Sequence, residues 1–573
     1  MTVRIRGKGG IPARLAPVLA GMVMLSAVGA ALAQTPPARL PSTVEPRPLE
    51  DRVAPPSALE SAPPPAVMPE EPPASPLPPG AVNVSFEVTD IVVEGATIYE
   101  PGRFAPFYEE LIGRTITLAE LYGVARDIEN LYREDGYVLT RAIVPAQTVD
   151  DGVFRIAVVE GFINEVIIQG EIGPARTLVE RYLNQITDFR PIRLQDMERY
   201  LLLANDVPGV TALGVLQPAE GDPGAARLIV SLERQVVDGL ARIDNRGSHF
   251  AGPVQTIGRV GLNSFTEYGD RTQVTVFSTG LSDESLFGEA LVEGRFGDEG
   301  LTMTAFANVA PAEPGASLEP LEVDSRATRV GFSADYPLIR TRRTNLNIAT
   351  GFDAANVDVD VFGLPFSEDR LRVLWGGISA THQDTFGGFS TIDLELRRGL
   401  SFFGASESGD DLLSRADGDP TFTSVQLDAS RLQSLTDDFS LFGAVSAQYA
   451  LDPLLADEEF TLGGVQFGRG YDPSELTGDH GVGATVELQF TPAGWRPPFI
   501  EAYQLYAFYD VGAVWDESED GQDRQSLASA GFGIRTQLSD YFYLDLEAAR
   551  PLTRAPANQD DEMRYFFTLT GTF

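Results

Sequence analysis

The chain has no cysteine and only three histidines among 573 residues. Past its N-terminal leader it has no continuous apolar run long enough for a helix to cross a bilayer. The missing thiols exclude disulfides, thiolate metal sites and thiol nucleophiles. His249, His382 and His480 fall far apart, in expected loops or at strand ends, and form no ligand set. Bases are scarce too: 43 Lys and Arg stand against 82 Asp and Glu, a formal charge of −39. Phosphate backbones are bound by clustered cations, so nucleic acid is excluded as a partner. There is no G-x-x-x-x-G-K-[ST], no H-E-x-x-H and no G-x-S-x-G. No catalytic, cofactor-binding or metal-binding residue is expected, hence no enzyme and no cofactor. The acidic stretch carrying Asp410, Asp411, Asp417 and Asp419 reads as a solvated surface loop in preference to a weak Ca²⁺ site.

What is present falls into consecutive regions. Residues 1–33 read as a secretory leader. Arg4, Arg6, Lys8 and Arg14 precede an apolar run, and Ala31-Leu32-Ala33 forms a cleavage site. An uncleaved anchoring helix is the alternative; the run is short for that and ends in small residues. Residues 34–83 are dominated by proline (Pro63-Pro64-Pro65, Pro72-Pro73, Pro78-Pro79) and read as an extended linker.

Residues 84–236 mix helix and strand in an order that repeats, giving modules over 84–161 and 162–236. Thr117 and Glu120 make a capping box. Leu118, Leu121, Ala125, Ile128 and Leu131 then share one helical face, and Gly136 ends the helix. Strands are expected at 86–88 with 91–93, 138–144 and 153–159. In the second module strands fall at 166–168, 210–216 and 228–232, and helices at 175–186 and 194–205. The strands at 138–144 and 210–216 are candidate edges for adding an extended chain, with plain domain core as the alternative.

From 237 to 573 helical periodicity vanishes, and segments of about ten residues alternate in polarity. Sixteen can be drawn: 237–246, 254–264, 271–280, 286–297, 300–310, 326–337, 344–355, 371–382, 387–399, 421–433, 438–450, 481–491, 503–515, 527–538, 541–551 and 563–573. Short connections alternate with long acidic ones, the latter including 311–325, 356–370, 400–420, 451–480, 516–526 and 552–562; two break the rule, 281–285 being short on the long side and 492–502 long on the short side. Backbone groups in hydrocarbon need partners, so a membrane sheet must close. The fold class expected is a membrane β-barrel of sixteen antiparallel strands preceded by two small periplasmic α/β domains. A soluble β-sandwich would alternate as well, but does not explain long loops on one side only. In the last segment Tyr565, Phe567, Leu569 and Phe573 face lipid, as a C-terminal signal for barrel assembly. Arg564, Thr568, Thr570 and Thr572 face a wet lumen, and Phe566 breaks the pattern. The modules precede the first strand and so lie on the side of the short turns, in the periplasm.

Three stretches carry a resemblance. Gly136-Tyr137, Pro145, Gln147, then Gly152 through Glu160-Gly161, resemble a polypeptide-transport-associated (POTRA) domain. Residues 201–210, with Asn205-Asp206 and Pro208-Gly209, resemble the matching helix-to-strand corner. Thr461 to Gly464, Arg469-Gly470-Tyr471 and Gly478-Asp479 are similar to the sixth-loop signature of the two-partner secretion transporters, the haemolysin secretion/activation and filamentous-haemagglutinin transporter family of the BamA-like superfamily. Gly468 departs from the pattern, which usually has an aliphatic residue there. The Pro-rich segment shows no counterpart of the plug helix known in some members.

The resemblance implies a pore that exports, with activation as an open second role, one large exoprotein of haemolysin or adhesin type. It implies a loop-to-barrel lock of Arg469, Gly470 and Tyr471 against Phe508, Asp510 and Gly512, with an Arg469–Asp510 ion pair inside the lumen. The partners implied are the unfolded exoprotein, outer-membrane lipid, and the barrel-assembly machinery during biogenesis. A barrel- or autotransporter-assembly factor of the same superfamily is the alternative, although such factors usually carry more POTRA modules. A passive pore or receptor barrel would not need the N-terminal modules.

Overall fold

The computed structural model describes residues 81–149, 151–279, 284–492, 494, 497–517, 524–553 and 562–573. The expected leader at 1–33, nearly all of the Pro-rich stretch at 34–83, and the centres of the 516–526 and 552–562 connections lie outside the described residues.

In the first module strands β1 (Ser85–Glu87), β2 (Asp90–Glu94) and β3 (Thr115–Thr117) lead into helix α1 (Leu118–Glu134), followed by β4 (Arg141–Ile143) and β5 (Val153–Val159). Thr117 opens α1 because its side-chain oxygen accepts from the Glu120 N–H while Glu120 accepts from the Thr117 N–H at 2.7 Å. The helix buries Leu121, Val124, Ala125, Ile128 and Leu131, at the spacing of one apolar stripe. The sheet runs β2-β5-β4, with β2 and β5 parallel, so β4 is an edge strand. Glu160, just past β5, accepts from the Thr97 and Ile98 N–H groups and from the Tyr132 hydroxyl. Burial pushes this carboxyl up, but those bonds, with one from the Thr97 hydroxyl, leave it below the usual carboxylate range.

The second module contains β6 (Phe162–Gln169), α2 (Arg176–Gln185), α3 (Leu194–Asn205), β7 (Val210–Pro218) and β8 (Ala225–Arg234). Its sheet runs β6-β8-β7, leaving β7 at an edge. Leu178, Val179, Tyr182, Leu183 and Leu201 pack with Leu228 and Val230 in the core. Asn205, in the corner motif, accepts from the Ala212 N–H and donates to the Ala212 and Leu201 carbonyls, clamping helix to strand.

Sixteen antiparallel strands then close a barrel: β9 (Val237–Asp244), β10 (Gln255–Asn263), β11 (Arg271–Ser278), β12 (Leu286–Phe296), β13 (Leu301–Ala312), β14 (Asp324–Arg340), β15 (Thr344–Val361), β16 (Leu364–Gln383), β17 (Gly388–Gly399), β18 (Thr423–Ser434), β19 (Phe439–Ala450), β22 (His480–Phe490), β23 (Ala502–Trp515), β24 (Gln525–Ser539), β25 (Phe542–Pro551) and β26 (Arg564–Thr572). A small hairpin, β20 (Phe460–Leu462) with β21 (Leu476–Gly478), sits in the connection from β19 to β22. One expected loop is absent. Residues 356–370 continue β15 and β16 to a two-residue turn at Phe362-Gly363, both at positive φ as a type I′ turn requires. Asp358 and Asp360 made this stretch look like a polar loop. They alternate with Val357, Val359 and Val361, which point inward and are buried. At 18 residues β15 is longer than the 9–11 or so needed to span a bilayer, so this hairpin projects beyond it.

Helices α2 and α3 dock on the short turns. Arg199 donates to Glu299 at 2.9 Å and to the Pro337 carbonyl, and the Tyr200 hydroxyl donates to Glu299. Asp206 pairs with Arg340 at 2.6 Å and Glu198 with Arg342 at 2.6 Å. The turns they grip, after β12 and β14, belong to the short set. The mouth beside them is a polar cavity of about 530 Å³ whose lining includes Tyr182, Asp206, Glu293, Arg295 and Arg340.

The barrel closes where β26 meets β9, pairing Thr568–Thr572 with Leu240–Asp244. The terminal Phe573 exchanges backbone bonds with Gly239 at one end of this seam. At the other end the Asn245 side chain stands in for a strand: it donates to the Tyr565 carbonyl at 2.9 Å and accepts from the Phe567 N–H at 2.8 Å. Replacing Asn245 by Ala removes both bonds, about 1–3 kcal/mol together. We expect the heat-modifiable gel shift of the folded barrel to occur at a lower temperature in Asn245→Ala than in the parent, and an unchanged shift would show that the seam does not depend on this side chain.

Candidate functional site

The connection from β19 to β22 folds inward and meets the barrel wall twice. Its tip is built on β20 and β21. Leu462, Phe467, Tyr471 and Leu476 are buried there against Val514 of β23 and Leu527 of β24. Two glycines permit this contact. A Cβ on Gly470 would stand 2.8 Å from the Pro551 nitrogen and 2.9 Å from the Arg550 carbonyl carbon, so the tip presses on the backbone of β25. A Cβ on Gly512 would stand 2.6 Å from Leu462 Cδ1, well inside van der Waals contact. Gly468 lies at φ +95°, a backbone conformation that disfavours aliphatic side chains.

Arg469 points from the tip into the wall. Its Nη2 donates to Asp510 Oδ1 at 3.0 Å and to Thr485 Oγ1 at 3.0 Å, and its Nε donates to Asp510 Oδ2 at 3.2 Å. Nη1 donates to Glu487 Oε2 at 2.8 Å and lies 3.7 Å from Glu547. The guanidinium carbon sits 3.4 Å from the Phe508 ring centroid, a cation–π contact made without water. Asp510 is fully buried. It also accepts from the N–H groups of Gly468 and Arg469, from Thr485 Oγ1 at 2.7 Å and from Ser529 Oγ at 3.2 Å. On β23 Tyr506, Phe508, Asp510 and Gly512 share the inward face, following the strand's period of two.

The network extends beyond the expected pair. Arg535 donates to Glu487 at 2.6 Å, Arg246 donates to Glu547 at 3.1 Å, and the Tyr506 hydroxyl donates to Glu547 at 2.8 Å. Three arginines therefore face the three carboxylates Asp510, Glu487 and Glu547. Tyr471 donates its hydroxyl to the Ala528 carbonyl at 3.1 Å. Asp472 accepts from Arg564 and from the His249 N–H, tying the tip to β26 and to the connection after β9.

A second anchor holds the base of the same loop, and sequence reasoning did not find it. The consecutive acids Asp457, Glu458 and Glu459 each meet an arginine: Arg329 of β14 at 2.8 Å, Arg397 of β17 at 2.9 Å, and Arg415 at 2.9 Å. Arg397 binds Glu458 through two nitrogens, the planar fork that suits a carboxylate. Arg415 also reaches Asp479 and Asp516. Apolar contacts reinforce the base: Leu454 and Leu455 are buried with Leu413, Phe422, Leu371 and Val373. The one available sequence signal was that Arg329 and Arg397 lie at inward parity on their strands.

In the C-terminal strand Tyr565 and Phe573 are well exposed and Leu569 partly so, and Phe567 shares their outward parity. Phe566 corrects the expected pattern. It is a lumen residue, buried with Tyr506 and Phe508, lying under Arg246 at 4.9 Å and Arg564 at 5.2 Å. Asp419, in the acidic stretch, accepts from Thr421 and from Ser408.

Known proteins resemble the chain over most of its length. Residues 226–536, over half of the chain, match the family described as haemolysin secretion/activation protein ShlB/FhaC/HecB. Residues 86–161 match the POTRA domain, ShlB-type. The heme/hemopexin transporter protein HuxB of Haemophilus influenzae is 22% identical over 482 residues, 82% of this chain and 84% of its own. The outer membrane transporter CdiB of Dickeya dadantii is 23% identical over 436 residues, 74% of this chain and 75% of its own. Among solved structures, CdiB from Escherichia coli superposes with a TM-score of 0.72 at 21% identity, over 88% of this chain and 94% of its own. CdiB from Acinetobacter baumannii gives 0.61 at 16%, over 97% and 98%. At these identities the structural likeness speaks for the fold.

Two measurements test the anchors. Removing one side of a buried pair costs on the order of 3–5 kcal/mol, so Arg469→Ala and Asp510→Asn should each lower the barrel's unfolding temperature and the amount of exoprotein in the medium. Arg469→Lys should not restore either, since an ammonium cannot span Asp510 and Glu487 at once; parental behaviour of all three would remove the tip anchor. At the base, Arg397→Met strands Glu458, whereas Arg397→Met with Glu458→Leu should cost less than Arg397→Met alone. A double-mutant cycle on thermal unfolding reads this, and simple additivity would contradict it.

Proposed function

The chain belongs to the haemolysin secretion/activation protein family, and from that premise we propose that it is the outer-membrane pore of a two-partner secretion system. In this reading one large exoprotein passes in unfolded form from the periplasm, through the barrel, to the cell surface. The observation that carries the reading is a closed sixteen-stranded barrel, preceded by two POTRA modules, with a family-signature loop pinned inside it through Arg469 and Asp510. The family match and the two modules favour export over barrel assembly.

We assign the loop tip the role of a lock. Gly470 and Gly512 admit it, Tyr471 and Phe508 pack it, and Arg469 holds it to Asp510. An entering chain has to displace it. The unfolded substrate is received upstream by strand addition. Edge strand β7 suits this better than β4, since it offers nine residues and keeps Leu213 and Val215 exposed beside its free edge. The outward residues Tyr565, Phe567, Leu569 and Phe573 serve recognition by the barrel-assembly machinery. The transporter carries out no chemistry of its own in this reading; folding of the exoprotein outside supplies the driving force.

Deleting the gene and comparing the secreted proteins tests the reading. One large protein should vanish from the medium while other outer-membrane proteins keep their levels. A general loss of outer-membrane barrels would instead favour the assembly role.

A further inference from the structure

The lipid-facing surface changes character abruptly on β16. Outward residues on adjacent strands form a level row, with Phe332 paired to Phe352 and Phe352 to Leu374. All three are apolar, and Phe332 and Leu374 are about half exposed. One level higher, Ala354 pairs with Arg372; above that, Asn356 pairs with Arg370, and Asp358 with Glu368. An arginine on the lipid face is costly at the bilayer midplane and nearly free of cost near the interface. Arg398 of β17, level with Leu374, and Arg372, one level above it, therefore mark the upper margin of the apolar band.

The chain leaving β17 covers that margin from outside. The Leu400 N–H donates to the Arg372 carbonyl and the Ser406 N–H to the Arg370 carbonyl, so residues 401–405 bulge outward between two ladder bonds. Arg372 props the bulge: its Nε donates to the Phe403 carbonyl at 3.2 Å, and its other nitrogens donate to the carbonyls of Ala355 and Leu371 and to Asn356 Oδ1. Phe402 stacks on Phe352 with centroids 5.8 Å apart, and Phe403 stands edge-on to Phe402 at 4.7 Å. Phe403 has φ +53° and is 78% exposed. A bulky side chain at positive φ is strained, and here that conformation turns an aromatic ring away from the protein.

We propose that Phe403, backed by Phe402 and Phe352, is an interfacial anchor that inserts among lipid acyl chains at the outer margin of the barrel. The occupant is lipid because the ring continues the apolar band and faces away from the lumen. The anchor fixes the depth of the barrel wall at β15–β17, directly outside the base of the folded-in loop. This inference rests on the outer-membrane placement of the barrel.

The chain has no native cysteine, so single-site labelling of the full-length protein is clean. Phe403→Cys, Leu394→Cys in the apolar band and Asp411→Cys on the same connection each receive an environment-sensitive fluorophore and are reconstituted in phosphatidylcholine–phosphatidylethanolamine vesicles, with the gel shift confirming folding. The label at 403 should lose emission to a doxyl group carried high on the acyl chain more than to one near its methyl end. The label at 394 should be quenched by both doxyl lipids, and that at 411 by aqueous iodide only. Phe403→Trp, which keeps an aromatic ring, should show added quenching by brominated lipid over the parent protein. If 394 is quenched by lipid while 403 behaves like 411, the anchor is refuted. Failure at 394 refutes the membrane placement as well. Quenching at 403 that vanishes as protein is diluted into more lipid marks self-association and also overturns the proposal.

Discussion

A carboxylate sealed inside a protein wall must be supplied with donors or lose its charge, and Asp510 is such a carboxylate. The barrel alone offers it two hydroxyls, from Thr485 and Ser529. The remaining donors are two backbone N–H groups and a guanidinium from a loop 41 residues earlier in the chain. Satisfying Asp510 and folding the loop inward are therefore one event. The surrounding set balances Arg469, Arg535 and Arg246 against Asp510, Glu487 and Glu547, with Arg469 reaching all three carboxylates.

Apart from Asp472, which meets Arg564, the ion pairs at the two ends of the loop have opposite polarity, and this favours one seating. Its base carries Asp457, Glu458 and Glu459 toward arginines of β14, β17 and the connection after β17. Its tip carries Arg469 toward carboxylates of β22, β23 and β25. Reversing the loop would set like against like. The cations involved are all arginine, and Lys8 is the chain's only lysine. A buried cation that must bind two carboxylates and lie flat on a ring needs a planar fork, which ammonium lacks. In so acidic a chain, an arginine taken into the lumen is withdrawn from neutralising the surface; that they gather there shows where the fold requires positive charge.

Much of this architecture was readable from periodicity. The 3.6-residue spacing and the Thr117–Glu120 box mark α1, and two-residue alternation marks each barrel strand, because burial on one face imposes those periods locally. What failed is instructive. Asp358 and Asp360 hid the extension of β15, since outward carboxylates above the bilayer look like loop residues. Phe566 looked like an error in the alternation because a lumen was assumed to be uniformly polar, whereas this one stacks aromatic rings under guanidinium groups. The pairing of the acids at 457–459, within an expected long acidic connection, was hidden because Arg329 lies 128 residues away and Arg397 61. Contacts across a closed barrel depend on strand number and stagger, and no local pattern records them. The meeting of Arg469 with Asp510 was legible only through a family likeness; their spacing alone says nothing.

A conduit must admit its cargo without keeping it. Strong apolar grooves would trap an unfolded chain, and a single-sign channel would select or repel it by charge. The route here avoids both. The mouth beside α2 and α3 sets Asp206, Glu293 and Asp335 close to Arg295 and Arg340, so both signs are met within one cavity. The salt bridges from α3 to the barrel turns hold that mouth in register with the lumen. Farther in, tip and base are each held by ion pairs and by an apolar cluster, the tip by Leu462, Phe467, Tyr471 and Leu476 against Val514 and Leu527, the base by Leu454 and Leu455 against Leu413 and Phe422. Water brought in by an entering chain weakens charge–charge contacts far more than apolar burial. On the export reading, the ion pairs at both ends of the loop are therefore the contacts that an entering chain and its water loosen first, while the apolar clusters keep the loop against the wall.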